Sequence, residues 1–301
     1  MPQYADRLDT LLTLWLKKYN KDLMQSERKF LQHHRLLNES PFPVFYLTVK
    51  VHKTPLKTRP IVSCSGSLLY GLGVWLDDKL QKVAQQQKSY FKSSFDLKTD
   101  LVALQLPPDA RLFSADAIAM YTNIPTARAL REIAQYLRTQ GHQYCSVSTN
   151  AIIDALRLIM TNNIFTFGDT CWKQISGTAM GTPPAPPYAT LYYAIHEELL
   201  LEEFGDNLLL YKRFIDDVLG IWVVTDPATD TARWNSFQSR MNEYHGLVWE
   251  HSARCTKLDF MDLTLSIKNQ RIHTTLFEKS LNLYLYIPPH SGHPPGSFPA
   301  W

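Results

Sequence analysis

The stretch YKRFIDDVLGIWVV, residues 211–224, constrains this chain more than any other. Phe214 and Ile215 on one side, and Val218, Leu219, Ile221 and Trp222 on the other, read as β-structure built for burial. Asp216 and Asp217 stand at its centre, and burying unpaired carboxylates is costly. The conflict resolves if the run is a hairpin. Consecutive side chains of a strand point to opposite faces, but at a hairpin tip both aspartates can sit at the solvent-facing end of a sheet. The apolar arms would then anchor that tip rigidly in a core.

One carboxylate pair at a turn binds a divalent cation weakly, so a third acid from a neighbouring strand is expected. Asp116, which ends RLFSAD (111–116), is the best candidate. Three carboxylates on one sheet edge form a hard oxygen site suited to Mg²⁺, which keeps waters and takes further ligands from substrate phosphates. Two such ions about 4 Å apart can activate an attacking hydroxyl and stabilise the leaving oxygen of an in-line phosphoryl displacement. Structural roles stay open beside this one: Asp217 as a turn former, Asp116 as a strand-end cap. A second doublet, Asp77-Asp78, is an internal control. It lies in a helical pattern, LLYGLGVWLDDKLQKVAQQ (68–86), and with Lys79 reads as an exposed face.

Composition narrows the class. A hydrophobic fraction of 45% and a charged fraction of 20% over 301 residues are those of a globular chain. No apolar run approaches the roughly 18 residues of a membrane helix. The start, MPQYADRLDT, has no secretory pattern. Cys64, Cys145, Cys171 and Cys255 are far apart, which reads as reduced thiols in an intracellular protein. Residues 1–60 hold 11 basic against 5 acidic side chains, while the remainder holds 20 against 23. A basic third beside an acidic remainder suits a polyanion held next to a metal site, and equally a solvated face.

Along the chain, helices are expected near 6–18 and 24–36, where Leu8, Leu11, Leu12 and Trp15 recur at helical spacing. SPFPVFYLTVKVHKTPLKTRPIVS (40–63) reads as two strands joined by a basic loop. Further helices are expected at 126–139, with Thr126 as N-cap, and at 149–161. Strands around 163–175 lead through the Gly/Pro-rich SGTAMGTPPAPP (176–187) into a helix at 188–204. The hairpin (208–224), a helix near 230–244 and strands at 258–267 and 271–277 follow. This interleaving without βαβ alternation favours an α+β fold around a mostly antiparallel sheet. His290 and His293 in PPHSGHPP lack a zinc pattern and read as loop, and Glu197-Glu198 reads as facing solvent.

Six segments carry a resemblance, in order. FSADAIAMYTNIP (113–125), QISGTAMGTPPAPPYATLYYAIHEE (174–198), RFIDDVLGIW (213–222) and LDFMDLTLSI (258–267) resemble palm motifs of reverse transcriptases, in the wording of Penelope-like retroelements. KVHKTPLKTRPIVS (50–63) resembles the fingers motif of that group, and NLYLYIPPHSGHPP (282–295) the approach to its thumb. Met180 and Phe214 stand where many reverse transcriptases have Gln and Tyr, and Met180 points to the subgroup.

The resemblance implies an α+β right-hand polymerase palm plus fingers. Residues 1–105 would form fingers and N-terminal helices, and 106–267 the palm with a helical insertion at 126–165. Residues 268–301 would form the palm end and thumb connection. The sequence ends at Trp301, before the family's helical thumb and frequent GIY-YIG endonuclease, so the thumb is expected to be largely absent and the grip on duplex weak. Carried over, Asp116, Asp216 and Asp217 are the catalytic carboxylates holding two Mg²⁺, with Mn²⁺ as an alternative ion and the Ala117 carbonyl as a further ligand. Tyr121 lies beneath the incoming sugar, where a ring clashes with a ribose 2′-OH. Its alternative is a core tyrosine in a strand. Arg59 grips the triphosphate, with Lys50 or Lys53 adding charge; otherwise these are loop cations. Met180 and Gly181 border the nucleotide, and Gln174 and Phe214 the template–primer. The implied activity is RNA-directed DNA synthesis from an RNA template, a DNA primer and dNTPs, with nuclear access if the element is active. A retroelement remnant that binds nucleic acid without copying it, and a DNA-templated polymerase, are the alternatives.

Overall fold

The computed structural model describes residues 2–36, 40–50, 55–244 and 246–278. Two helices open the chain, α1 (Pro2–Lys18) and α2 (Gln25–Leu36), followed by strands β1 (Val44–Lys50) and β2 (Lys57–Ser63). Helices α3 (Tyr70–Ala84) and α4 (Ser94–Ala103) lead to β3 (Ala110–Ala117). A single helical turn, α5 (Met120–Asn123), precedes α6 (Thr126–Thr139) and α7 (Thr149–Thr161). Strands β4 (Ile164–Phe167) and β5 (Thr170–Lys173) are followed by the long α8 (Ala185–Glu203). The hairpin β6 (Leu208–Phe214) and β7 (Asp217–Val223), α9 (Asp230–Asn242) and β8 (Trp249–His251) come next. A meander of β9 (Lys257–Phe260), β10 (Leu263–Lys268) and β11 (Arg271–Leu276) ends the described chain.

The strands form three sheets. The central one has the order β6-β7-β3-β8, all antiparallel. A second, β2-β1-β4-β5, joins two hairpins through a short parallel contact of β1 with β4. The meander is the third, in the order β11-β10-β9.

Both faces of the central sheet are buried, and the period of two divides its residues between two cores. Phe113, Ala115, Val218 and Trp222 enter the larger core with α3, α6, α7 and α8. Leu112, Leu219 and Ile221 point the other way, into a smaller core with α4 and the meander. Trp222 is fully buried and its indole N–H is satisfied by Asp230 at 2.8 Å. Burying such a side chain contributes about 3 kcal/mol. Gly220 is required beneath it, because a Cβ there would lie 2.1 Å from the Phe113 ring. The first three turns of α8 are mostly apolar and sit inside the larger core, with Tyr188, Tyr192 and Tyr193 wholly buried, while its glutamates lie toward the C-terminal end.

Several expectations change. Residues 258–267 are two strands, reversing at Met261, whose φ is +52°. Thr126 does not cap α6; Pro125 holds that position, and the Thr126 hydroxyl donates to the Gly177 carbonyl at 3.1 Å. The Asp77-Asp78 face is only part exposed, since the neighbouring Lys79 is buried in an ion pair with Glu27 at 2.6 Å that ties α2 to α3. Helix α4 and strand β8 were not anticipated. His290, His293 and the 282–295 segment lie outside the described residues.

Candidate active site

The RFIDDV hairpin closes through a two-residue loop, Ile215-Asp216, with Phe214 opposite Asp217. Such loops need a positive φ, and Ile215 adopts +56°, a conformation that costs a β-branched residue dearly. The tip then meets β3. The Ala117 amide donates to the Asp216 carbonyl at 2.9 Å, and Asp116 lies directly opposite Asp217. That pattern makes Asp116 and Asp217 a non-hydrogen-bonded pair, the kind whose Cα atoms approach to about 4.5 Å and whose side chains share a face. On its other side Asp116 pairs with Glu250 of β8. Four strands thus present a row across one sheet face: Phe214, Asp217, Asp116, Glu250. Sequence reasoning missed Glu250 because β8 is three residues long and lacks a period to read.

Both aspartates of the doublet lie at the tip of the hairpin. The face that carries Leu112 and Leu219 into the smaller core carries Asp116, exposed, and Asp217, half-buried, at its open end. Asp216 occupies the turn and is also half-buried. Burial pushes its carboxyl above the usual carboxylate value, opposed by its own backbone N–H and by the charges of Lys50, Arg59 and Arg213.

The charges of Lys50 and Arg59 therefore reach Asp216. In the β1–β2 register Lys50 opposes Lys57 and Thr48 opposes Arg59, so all three cations share one face of the second sheet. Lys53 lies outside the described residues. Tyr121 is half-buried in α5, in a helical turn and not in a strand. Burial, with the Asp216 charge second, pushes its phenol up to about 12. Its carbonyl accepts from the Thr178 amide at 2.7 Å, tying α5 to the loop before α8.

That loop is stapled to β2. The Val62 amide donates to the Met180 carbonyl at 2.7 Å. Gly181 has φ +109°, and a Cβ on it would lie 2.3 Å from the Val62 carbonyl oxygen. The close backbone approach that this glycine permits is thus to β2. Gln174 donates to the Ser176 carbonyl at 2.8 Å and borders an open hollow of about 350 Å³ with Phe45, Pro60, Thr122 and Met180, away from the three aspartates. Phe214 packs on Phe91, centroids 5.7 Å apart, closing the row beside Asp217. Of the two glutamates expected at the surface, Glu198 is exposed but Glu197 is buried, bridging to a buried Arg213 at 2.5 Å.

No family model matches the sequence, and no curated protein matches it. Solved structures do. Telomerase from Candida albicans bound to a fragment of telomeric RNA superposes with a TM-score of 0.56 at 12% identity, covering 88% of this chain and 49% of that one. The BmCPV RNA-dependent RNA polymerase at its elongation state gives 0.58 at 12% identity, covering 79% of this chain and 22% of that one. The fold is a nucleic-acid polymerase fold. Apo telomerase from Candida tropicalis agrees, at 0.55 and 12%, covering 86% of this chain and half of the other. The chain spans about half the length of the telomerases it matches and about a fifth of the viral enzyme.

Within this polymerase fold the acids can be tested for fit to a divalent cation. Among the described residues no group of three or more His, Cys, Asp or Glu side chains closes around a metal. Two carboxylates side by side on an open sheet end fit instead a cation that takes its remaining ligands from phosphate and water, as Mg²⁺ does.

Proposed function

We propose that this chain is a reverse transcriptase domain of the Penelope-like type, adding deoxynucleotides to a primer 3′-OH on an RNA template. The observation that carries this reading is the direct opposition of Asp116 and Asp217 beside the turn holding Asp216, within a polymerase fold. The motif wording adds the choice of reverse transcription. Asp116, Asp216 and Asp217 would hold two Mg²⁺, with the Ala117 carbonyl at hand. Bound there, magnesium would acidify the primer hydroxyl and neutralise charge on the leaving pyrophosphate.

The chain's own residues do the rest by positioning. Arg59 offers a planar fork and Lys50 a point charge to the triphosphate, from a strand pair whose charges already reach Asp216. The Tyr121 ring, close enough to Asp216 to feel its charge and tied through its carbonyl to the loop before α8, would reject a 2′-hydroxyl. Phe214, opposite Asp217, and Gln174, at the separate hollow, would contact the template–primer. Residues 1–105 act as fingers and 106–267 as palm.

A labelled primer annealed to RNA or to DNA, with dNTPs and Mg²⁺, tests the proposal. Extension on RNA is expected. Extension confined to DNA would replace it with a DNA-templated enzyme, and tight binding with no extension would leave a nucleic-acid-binding remnant.

A further inference from the structure

Directly beneath the Ile215-Asp216 turn lies an ionic cluster that no solvent reaches. Arg213 is 1% exposed and Glu197 also 1%. The Arg213 Nε donates to Glu197 Oε1 at 2.5 Å and Nη2 donates to Oε2 at 2.9 Å, a two-pronged pair. The other carboxylate positions accept from the Ser89 hydroxyl at 2.6 Å and the Tyr211 hydroxyl at 2.9 Å. Nη2 also donates to the Thr190 carbonyl of α8 at 2.9 Å. The remaining prong, Nη1, reaches past its own strand and donates to the carbonyl of Ile215 at 2.9 Å.

That last bond is the informative one. A structural ion pair needs no contact with a turn two residues away. Ile215 sits at φ +56°, where a β-branched residue persists only if its surroundings hold it. Its carbonyl belongs to the same rigid peptide plane as the Asp216 amide, so fixing the oxygen fixes the plane from which Asp216 projects. The guanidinium is fixed in turn: Glu197 and Thr190 belong to α8, Tyr193 lies 5.2 Å beneath the cation, and the Arg213 amide donates to Ser89 at 2.8 Å.

We infer that Arg213, locked by Glu197, is a positioning residue that transmits the rigidity of buried α8 to the carboxylate of Asp216. It touches no reacting atom. The inference rests on the proposal that Asp216 holds a metal ion, and it deepens it by naming what keeps that ligand in place. Removing a group that only orients a ligand weakens metal binding by roughly tenfold to a hundredfold. A lysine could keep the charge but not the fork, so it cannot serve Glu197 and Ile215 together.

The test measures Mn²⁺ binding to the full chain by electron paramagnetic resonance, beside its thermal unfolding. Four proteins are compared: wild type, Asp216→Asn, Arg213→Lys, and a double variant with Arg213→Met and Glu197→Leu. Replacing both members of a buried pair by apolar groups is commonly tolerated, whereas removing one is not. The expected result is a double variant that unfolds near the wild-type temperature, yet whose Mn²⁺ dissociation constant rises about tenfold or more. In primer extension its kcat should fall while the dNTP KM holds. Unchanged Mn²⁺ affinity in the folded double variant would overturn the inference. If that variant does not fold, Arg213→Lys decides, with weaker Mn²⁺ binding supporting the clamp and wild-type binding overturning it. Wild type and Asp216→Asn separate the two ideas. Equal binding by those two refutes the metal reading itself, and the clamp with it. A difference between them, with none at Arg213, refutes the clamp alone.

Discussion

In the proposed role Tyr121 would act by its ring and not by its charge. With its phenol pushed up to about 12 by burial and by Asp216, it stays neutral at any working pH. Tyr121→Phe should therefore keep the preference for dNTPs over rNTPs, while Tyr121→Ala should lower it at least tenfold, as removing a steric block does. Competing single-nucleotide incorporations measure both. Asp216 makes the opposite case. Its folded-state pKa is raised, so its contribution to stability is favourable only below the unfolded value and is lost as pH rises through the folded one. At neutral pH the half-buried carboxylate is a net cost, because the charges of Lys50, Arg59 and Arg213 only partly offset its burial. Asp216→Asn should raise the metal-free unfolding temperature by a few degrees at pH 7 and abolish synthesis. The gain should vanish in acid, where the wild-type carboxyl is neutral. A variant that unfolds earlier at pH 7 would contradict this, because sites tuned for function commonly sacrifice stability.

The elements legible in the sequence were those with a long period or a clear boundary. Helices α6 and α7 fall at 126–139 and 149–161 as their spacing requires, and the hairpin arms fall within two residues. Strand β8 was not legible, since three residues carry no period, and with it went Glu250. The β9–β10 reversal was hidden because Met261 takes the positive φ, where turn chemistry would choose glycine or asparagine. Arg213 and Glu197 were hidden for another reason. Charged side chains read as surface unless a partner is known, and theirs lies 16 residues away across the core. The loop at Gly181 belongs to this scale as well. With φ +109° and the Val62 carbonyl in the way, Gly181→Ala should cost on the order of 2–3 kcal/mol in urea unfolding. A cost below about 0.5 kcal/mol, the range of ordinary surface changes, would mean the staple between β2 and this loop is slack.

Under the proposed function, the division of charge across the whole molecule would suit a polyanion. The second sheet puts Lys50, Lys57 and Arg59 on one face, from which the charges of Lys50 and Arg59 reach Asp216. Affinity for a template–primer should fall steeply with salt, and each cation removed from this face should lower the salt slope by about 1. Fluorescence anisotropy of Lys57→Ala and Arg59→Ala at several salt concentrations reads this directly; an unchanged slope would place the nucleic acid elsewhere. The central claim is narrower: an acid on β3 and the acids of the hairpin act as one unit. Extension rates on an RNA template for Asp116→Asn, Asp216→Asn and the double variant test it. Each single change should remove nearly all synthesis, on the order of a thousandfold or more, and the double should be no worse than either. Losses that are modest and multiply as independent effects would contradict it.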